Sequence, residues 1–526
     1  MNPIKKTATM MALSALALTA LTSEAKVAVN AMFTDNMILQ REMNIPIWGT
    51  ADPGETVVVE YAPQKSTKTV AQKVTTRAGE DGKWRLAMKP LSASRIGARL
   101  IITGDKTEGP PTEFKDVLVG EVWLGSGQSN MAYGTRHYTK ADPNLKKACE
   151  GGPYPMLRVY VKGAWQIADA ESITDFSALL FSFGHALQKE LDVPVGLMCG
   201  ARNGSPSASW LTEEMAGASP ELVKMFKEKS GFNSFEAMNA DRLEKMAQFK
   251  IEKEKVQKEG KSTRRMRFSH PATVTGQLYR RDIQRLVPYA IKGVLWDQGE
   301  SGTSMPGVDQ YTMMNALIKG WRKEWNRDDL PFLHIQKPSG GGCAWDDDFP
   351  AGRRAPLKWV PLPQEPLPDD RSCARQLVHI KMATLKNAPL VTTSDLTPGT
   401  HPPTKYSYGK RACRVALGTV YGRDIVTCGP VYQSHSVRTD EIEVKFNNVG
   451  KGIAFRHGKK LQGFEIAGEN LKWQWADARI KGNAVIVSSS KIKTPRHVRY
   501  AFSKTFNWAN LFNKDGLPAL MFTTSL

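Results

Sequence analysis

The sequence predicts an α/β chain: a doubly wound parallel sheet in the middle, flanked by a β-rich unit on each side. Three observations lead there. Short apolar runs alternate with stretches of helical periodicity between Glu121 and Thr393, the pattern of strands buried on both faces of a parallel sheet. The residues before and after break instead into short strand-like runs separated by turn residues. A chain of 526 residues also exceeds what one core fills, so about three domains are expected.

Taken in order, the first residues are not fold. Lys5 and Lys6 precede an apolar run from Met10 to Leu21, and Ser23-Glu24-Ala25 offers small residues where a signal peptidase reads. A signal peptide over residues 1–25 is expected, and with it a secreted or periplasmic protein. No later segment approaches about 20 uninterrupted apolar residues, so no transmembrane segment is expected. Residues 26–117 read as an N-terminal β-sandwich. Ile45–Trp48, Glu55–Glu60 and Trp84–Leu86 are strand-like, and Asp52-Pro-Gly-Glu55 and Asp81-Gly-Lys83 are turns.

Residues 118–428 carry the alternation. Glu121–Gly125, Val193–Cys199, Ile291–Trp296, Pro331–Gln336 and Pro389–Thr393 read as five strands. Leu179, Leu180, Phe183, Ala186, Leu187 and Leu191 have the spacing of an amphipathic helix, with Asp175 placed to cap it. A charge-rich helical insertion is expected over about 213–267, with Leu243, Met246, Phe249 and Val256 at helical spacing. An ordered loop or lid is expected over Gly340–Arg371. Residues 429–526 return to short strands, Glu441–Phe446 and Ala484–Val487, and form a C-terminal β domain.

Composition narrows the partners. Hydrophobic content of 41% and charged content of 24% are ordinary for globular protein. A net charge of +20 attracts nucleic acid, anionic membrane or acidic polysaccharide. The basic residues are spread along the chain, no nucleic-acid motif accompanies them, and export makes nucleic acid the weakest of these partners. A solvated surface or an anionic glycan partner remains. Six cysteines without CxxC or His-rich spacing exclude a disulfide framework and a zinc site. Buried free thiols are expected, with Cys413 and Cys428 the pair to test first. No metal and no cofactor is implied.

The chemistry collects after the strands. Ser129 follows the first strand in Glu121-Val-Trp-Leu-Gly-Ser-Gly-Gln-Ser-Asn-Met131, a Gly-x-Ser-x-Met pattern without the second glycine of the α/β-hydrolase elbow. Asn203, Gly204 and Ser205 follow the second strand, Gln298, Gly299 and Glu300 the third, and His401 lies just past the fifth. Ligands of an open parallel sheet bind beyond the carboxyl ends of its strands. Four loops therefore bring a hydroxyl, unobstructed backbone amides, a side-chain amide and an imidazole to one rim, the set a serine needs to hydrolyse an ester. Each residue alone has a duller reading: Ser129 as an N-cap, Asn203-Gly204 as a turn, Glu300 as a helix-start charge, His401 as a solvated loop residue. Their coincidence is the signal.

Trp123-Leu-Gly-Ser-Gly-Gln-Ser-Asn-Met131 closely resembles the nucleophile block of the sialate O-acetylesterase family, a branch of the SGNH hydrolases. The likeness runs almost end to end. Met37-Ile-Leu-Gln-Arg41, Trp48-Gly49 and Asp81-Gly-Lys-Trp84 resemble its N-terminal β domain. Val193-Pro-Val-Gly196 with Asn203-Gly-Ser-Pro206 and Trp210 resembles its second block, and Lys292-Gly-Val-Leu-Trp296 with Gln298-Gly-Glu-Ser301 its third. His401-Pro402 with Lys405 and Gly409 is similar to its histidine block. Gly463-Phe-Glu-Ile-Ala-Gly468, Val498-Arg-Tyr500 and Gly516-Leu-Pro518 are similar to its closing β domain.

The resemblance implies an SGNH-type, flavodoxin-like sheet and a serine esterase that removes O-acetyl groups from sugars through an acetyl-serine. It makes Ser129 the nucleophile and His401 the general base and acid. The Ser129 and Gly204 amides and Gln298 become the oxyanion donors, and Gln128, Asn130, Asn203 and Glu300 substrate-binding neighbours. The sequence departs from the pattern in three places. Pro398 stands where the superfamily sets an Asp, leaving Asp395 as the nearest upstream carboxylate and the candidate third member. Asn203-Gly204-Ser205 replaces Gly-Gly-Thr, and Asp297 replaces an aromatic. The expected substrate is an acetylated carbohydrate: a sialic acid, or acetylated xylan, pectin or algal glycan. A glycan-binding protein with a degenerate site is the alternative from another class.

Overall fold

The computed structural model describes residues 27–63, 70–346 and 355–525. The expected signal peptide lies outside the described residues, as do residues 347–354 of the expected lid. Among the described residues no helix is long and apolar enough to cross a membrane.

One 16-residue strand, β1 (Thr112–Gly127), organises the chain. Its first half pairs antiparallel with Ser94–Gly104, which pairs with Thr56–Pro63, which in turn pairs with Gln72–Arg77. Ala28–Val29, Ile45–Thr50 and Lys83–Met88 form a separate three-stranded sheet. Val57, Val59, Leu100 and Ile102 of the first set share a core with Ile45, Ile47, Trp84 and Leu86 of the second. β1 runs past residue 117 without a break, so one 11-stranded sheet extends from the N-terminal strands into the centre of the protein.

After β1 come α1 (Ser129–Ala132), β2 (Tyr154–Val161), β3 (Ala164–Ala168), α2 (Ala178–Leu191), β4 (Val195–Ala201) and β5 (Gly293–Asp297). Then follow α3 (Gln310–Glu324), β6 (Phe332–Ile335), α4 (Arg371–Met382), β7 (Leu390–Val391) and α5 (Lys405–Thr419). The central order is β3-β2-β4-β1-β5-β6-β7, parallel throughout except for β3 on β2. The five strands read from the sequence are β4-β1-β5-β6-β7. The β2–β3 hairpin at the edge is additional.

Side chains alternate between two covered faces, as a doubly wound sheet requires. Val122, Leu124, Val294, Trp296 and Phe332 meet Met313, Met314, Leu317 and Trp321 of α3 on one face. Trp123, Leu295, Leu333 and Val391 meet Leu179, Leu180 and Phe183 of α2 and Tyr408, Ala412 and Ala416 of α5 on the other. Each such side chain contributes roughly 1.5–3 kcal/mol of hydrophobic burial, and together they fix the strand ends that carry the site. The cap of α2 is Ser177 rather than Asp175: Ser177 Oγ accepts from Leu180 N at 3.1 Å. Asp175 pairs with Arg136 at the surface, because the chain turns inward only after it, where Ala178 N donates to Tyr133 O.

The 213–267 insertion forms helices Glu213–Gly217, Pro220–Lys229 and Phe235–Lys258. The last docks through Phe235 and Met238 in its first turn, leaving Leu243 54% exposed despite its helical spacing. At the C-terminus two four-stranded antiparallel sheets enclose Ile442, Val444, Val485 and Val487 against Phe464, Ile466, Val498 and Tyr500. In the described part of the expected lid, Gly340 lies against Pro398 and Trp345 packs edge-on against Phe512 at 5.3 Å. Cys413 and Cys428 are both free thiols.

Candidate active site

The site begins at Gly127, the last residue of β1. Its φ is +123°, and a Cβ there would sit 2.2 Å from the Asp297 carbonyl oxygen at the end of β5. Glycine meets both demands and lets the two strand ends close on each other. Gln128 N then donates to Asp297 O at 2.8 Å. From the other side, Arg202 N (3.0 Å) and Ser205 Oγ (3.1 Å) both donate to Gly127 O. The loops after β4 and β5 are thereby fastened to the residue that precedes the Gln128-Ser129 turn.

Ser129 is the first residue of α1, where no carbonyl of the helix can accept its N–H. His401 Nε2 lies 2.8 Å from Ser129 Oγ, although 272 residues separate them in sequence. With the ring proton on Nδ1, Nε2 accepts from the hydroxyl. Burial first, and then the Lys405 ammonium, lower the pKa of His401 below 6.5, so the ring is neutral at pH 7 and ready to take a proton. Tyr133 stands edge-on to the imidazole at 5.2 Å. Tyr133, His137, Tyr138, Pro398 and Pro403 line a cavity of about 380 Å³ beside it. That volume falls within the roughly 300–1,000 Å³ of ligand pockets.

Asp395 is not brought to His401. Its two oxygens accept from Arg411 of α5 at 3.1 and 2.8 Å, and the carboxylates that act on the imidazole are Glu300 and Asp297. Closeness in sequence misled here: the loop between Asp395 and His401 carries the histidine to the rim while Asp395 stays beside α5. Gln298 is not brought to the hydroxyl as a donor either. Its Nε2 donates to Gly302 O (2.9 Å) and its Oε1 accepts from Ser207 Oγ (2.6 Å) and Gln310 Nε2 (3.0 Å), which hold the loop after β5 in shape. Asn203 and Gly204 form an exposed turn with Gly204 at φ +66°, and open space stands where a Gly204 side chain would be.

The remaining expected substrate binders face inward. Gln128 Nε2 donates to Glu300 Oε2 (2.7 Å) and Gln128 Oε1 accepts from Ser301 N (3.2 Å). Asn130 Nδ2 donates to Glu300 Oε1 (3.2 Å) and to Thr400 O (2.8 Å), and Asn130 Oδ1 accepts from Lys405 Nζ (2.7 Å). Glu300 also pairs with Lys337 Nζ at 3.1 Å, and Lys337 pairs with Asp297 at 2.8 Å. Burial pulls the Lys337 ammonium down, but the two carboxylates outweigh it and hold its pKa above the usual 10.5.

The sequence reading missed Lys337 and gave Lys405 no role. Lys337 directly follows the fourth strand, just ahead of the expected lid, and was assigned nothing; a lysine closing an apolar strand was the available signal. Among the described residues no group of three or more His, Cys, Asp and Glu side chains is arranged to hold a metal ion.

No family model matches the chain. A solved carbohydrate acetylesterase from Xanthomonas citri superposes with a TM-score of 0.71, covering 95% of this chain and 99% of that one at 23% identity. The protein thus has the fold of a carbohydrate acetylesterase, a mixed sheet flanked by β-rich sheets. Sialate O-acetylesterases also match by sequence: the rat protein (Rattus norvegicus) at 26% identity over 336 residues, 56% of either chain, and the human protein (Homo sapiens) at 25% over 366 residues, 63% of this chain and 62% of that one. The match spans little more than half the length of these relatives. In sequence the chain is thus similar to sialate O-acetylesterases.

Proposed function

We propose that the protein is an exported serine esterase that hydrolyses O-acetyl groups on sugars with Ser129 as nucleophile and His401 as general base and acid. The observation that carries this is the 2.8 Å contact between Ser129 Oγ and His401 Nε2 at the rim of the sheet. Its location adds support. Leaving aside β2 and β3, the order β4-β1-β5-β6-β7 is the 2-1-3-4-5 order of flavodoxin-like sheets, consistent with an SGNH-type hydrolase unit over 118–428 between flanking β domains. Ligands of such sheets bind where the chain switches direction, and Ser129 follows the strand at that switch.

In this reading Ser129 Oγ attacks the acetyl carbonyl carbon while its proton passes to His401 Nε2. The oxyanion is met by the Ser129 N–H at the helix start and by the Gly204 N–H, each worth about 3 kcal/mol to the transition state. His401 returns the proton to the departing sugar alcohol, and water repeats the sequence on the acetyl-enzyme. Sialic acid is the substrate the relatives' name favours; acetylated xylan, pectin and algal glycan are the competing ones. Ser129→Ala is expected to lower hydrolysis of p-nitrophenyl acetate at least about ten-thousand-fold and to abolish labelling by a serine-directed fluorophosphonate, with an unchanged melting temperature. Undiminished activity in that variant refutes the reading. Acetate release from a panel of acetylated glycans selects among the substrates.

A further inference from the structure

A serine–histidine pair needs its imidazole held in one orientation, the task of the acid in a triad. Asp395 does not perform it, since Arg411 takes both its oxygens. The backbone around His401 is instead tied down from the nucleophile's side. Asn130, next to Ser129, donates through Nδ2 to the Thr400 carbonyl immediately before His401, at 2.8 Å. Lys405 Nζ donates to the Pro402 carbonyl just beyond it, at 2.8 Å, and to Asn130 Oδ1, at 2.7 Å. Asn130 is fully buried and Lys405 is 1% exposed, so neither side chain has solvent as an alternative partner. The ammonium also lies over the Tyr138 and Tyr408 rings, at 4.7 and 5.5 Å.

We propose that Asn130 and Lys405 act as a clamp that grips the chain on both sides of His401 and thereby positions the imidazole on Ser129 in place of a triad acid. This rests on the esterase reading above. Neither residue touches substrate in it; both act through His401.

The lysine of the clamp also acts on the imidazole through its charge. Burial lowers Lys405 to about 7, against the pull of Asp297, Glu300 and Asp142 and with the push of Lys337. Its charge in turn lowers His401, as does Lys337, while Glu300 and Asp297 raise it. Removing the lysine's charge therefore lets the imidazole hold its proton to higher pH.

The experiment compares Lys405→Met, Lys405→Gln and Asn130→Ala with the wild-type full chain on p-nitrophenyl acetate, with Ser129→Ala as the reference for the reading itself. Each clamp variant is expected to lose about 100-fold in kcat with little change in KM, the cost of misplacing a reacting group by about 1 Å. The acid limb of kcat/KM should move to higher pH in the Lys405 variants and stay in place in Asn130→Ala, which removes no charge. A folded Lys405 variant with wild-type kcat and an unmoved acid limb overturns the clamp while leaving the esterase reading intact. If neither Lys405 variant folds, Asn130→Ala decides: wild-type kcat there also overturns it. Activity retained in Ser129→Ala defeats the reading on which the clamp depends.

Discussion

Replacing Asp395 by Asn separates two roles that the sequence alone could not. Were Asp395 the third member of a triad, the substitution would leave stability nearly intact and cost about ten-thousand-fold in kcat, or about 5.4 kcal/mol at 1.36 kcal/mol per decade. The structure leads to the opposite outcome. The carboxylate is 5% exposed and faces an Arg411 guanidinium that is 13% exposed, in a bidentate pair. Removing one partner of a buried pair costs about 3–5 kcal/mol. Asn keeps one acceptor oxygen, and Arg411 keeps its bond to Thr392 O at 3.2 Å, so the expected loss is about 2–3 kcal/mol of unfolding free energy. kcat should stay within about tenfold of wild type, the residual effect passing through the loop that ends at His401. Urea denaturation and the hydrolysis rate of p-nitrophenyl acetate, taken on the same preparation, give both numbers. A thousand-fold fall in kcat with an unmoved urea midpoint would refute this account and restore Asp395 to the catalytic set.

Two further outcomes follow from the site. His401 must be neutral to take the proton, and burial together with Lys405 disfavours its cation, so kcat/KM should rise with pH through a midpoint below 6.5 and level off above it. Loss of the Lys405 proton near pH 7 should not break that plateau, because a neutral amine still donates two hydrogen bonds; a wild-type midpoint above 7 would contradict the argument. Gly127→Ala should cost at least about 3 kcal/mol and reduce kcat sharply, since a positive φ of 123° and a backbone oxygen 2.2 Å from the new Cβ leave no flexible side chain to yield. Wild-type stability and rate in Gly127→Ala would show that the β1 and β5 ends part without consequence.

Much of the central sheet was legible because its strands are buried on both faces and so read as unbroken apolar runs. Val193–Cys199 and Ile291–Trp296 reappear as β4 and β5 with shifts of one or two residues at their ends, whereas Glu121–Gly125 is the last part of a β1 that begins at Thr112. The hairpin of β2 and β3 had a signal that went unused: Lys162-Gly163, both at positive φ, stands between two runs of β-formers. The meeting of Ser129 with His401 was legible through the rule that loops of one rim converge. The directions of Gln128, Asn130 and Gln298 were not. A sequence shows that an amide lies near a strand end, but whether it points at a ligand or at another buried polar group depends on which neighbours also need partners.

Asp297 makes that dependence concrete. It stands where the family resemblance implies an aromatic residue, and read alone it is a buried charge with no counterion. The counterion is Lys337, two residues past the end of the neighbouring strand β6. β5 and β6 pair in parallel register, Trp296 opposite His334, so the last residue of β5 and the residues just past β6 emerge side by side. Asp297 and Lys337 are both almost fully buried, at 1% and 2%, and either charge without the other would cost several kcal/mol. The aspartate is tolerable only because the lysine is there, and the lysine's second contact, to Glu300 at 3.1 Å, holds the carboxylate that accepts from Gln128 and Asn130 on either side of the nucleophile. The departure from the family pattern at Asp297 and the unassigned lysine after the fourth strand are one feature, and only the pairing of the strands reveals it.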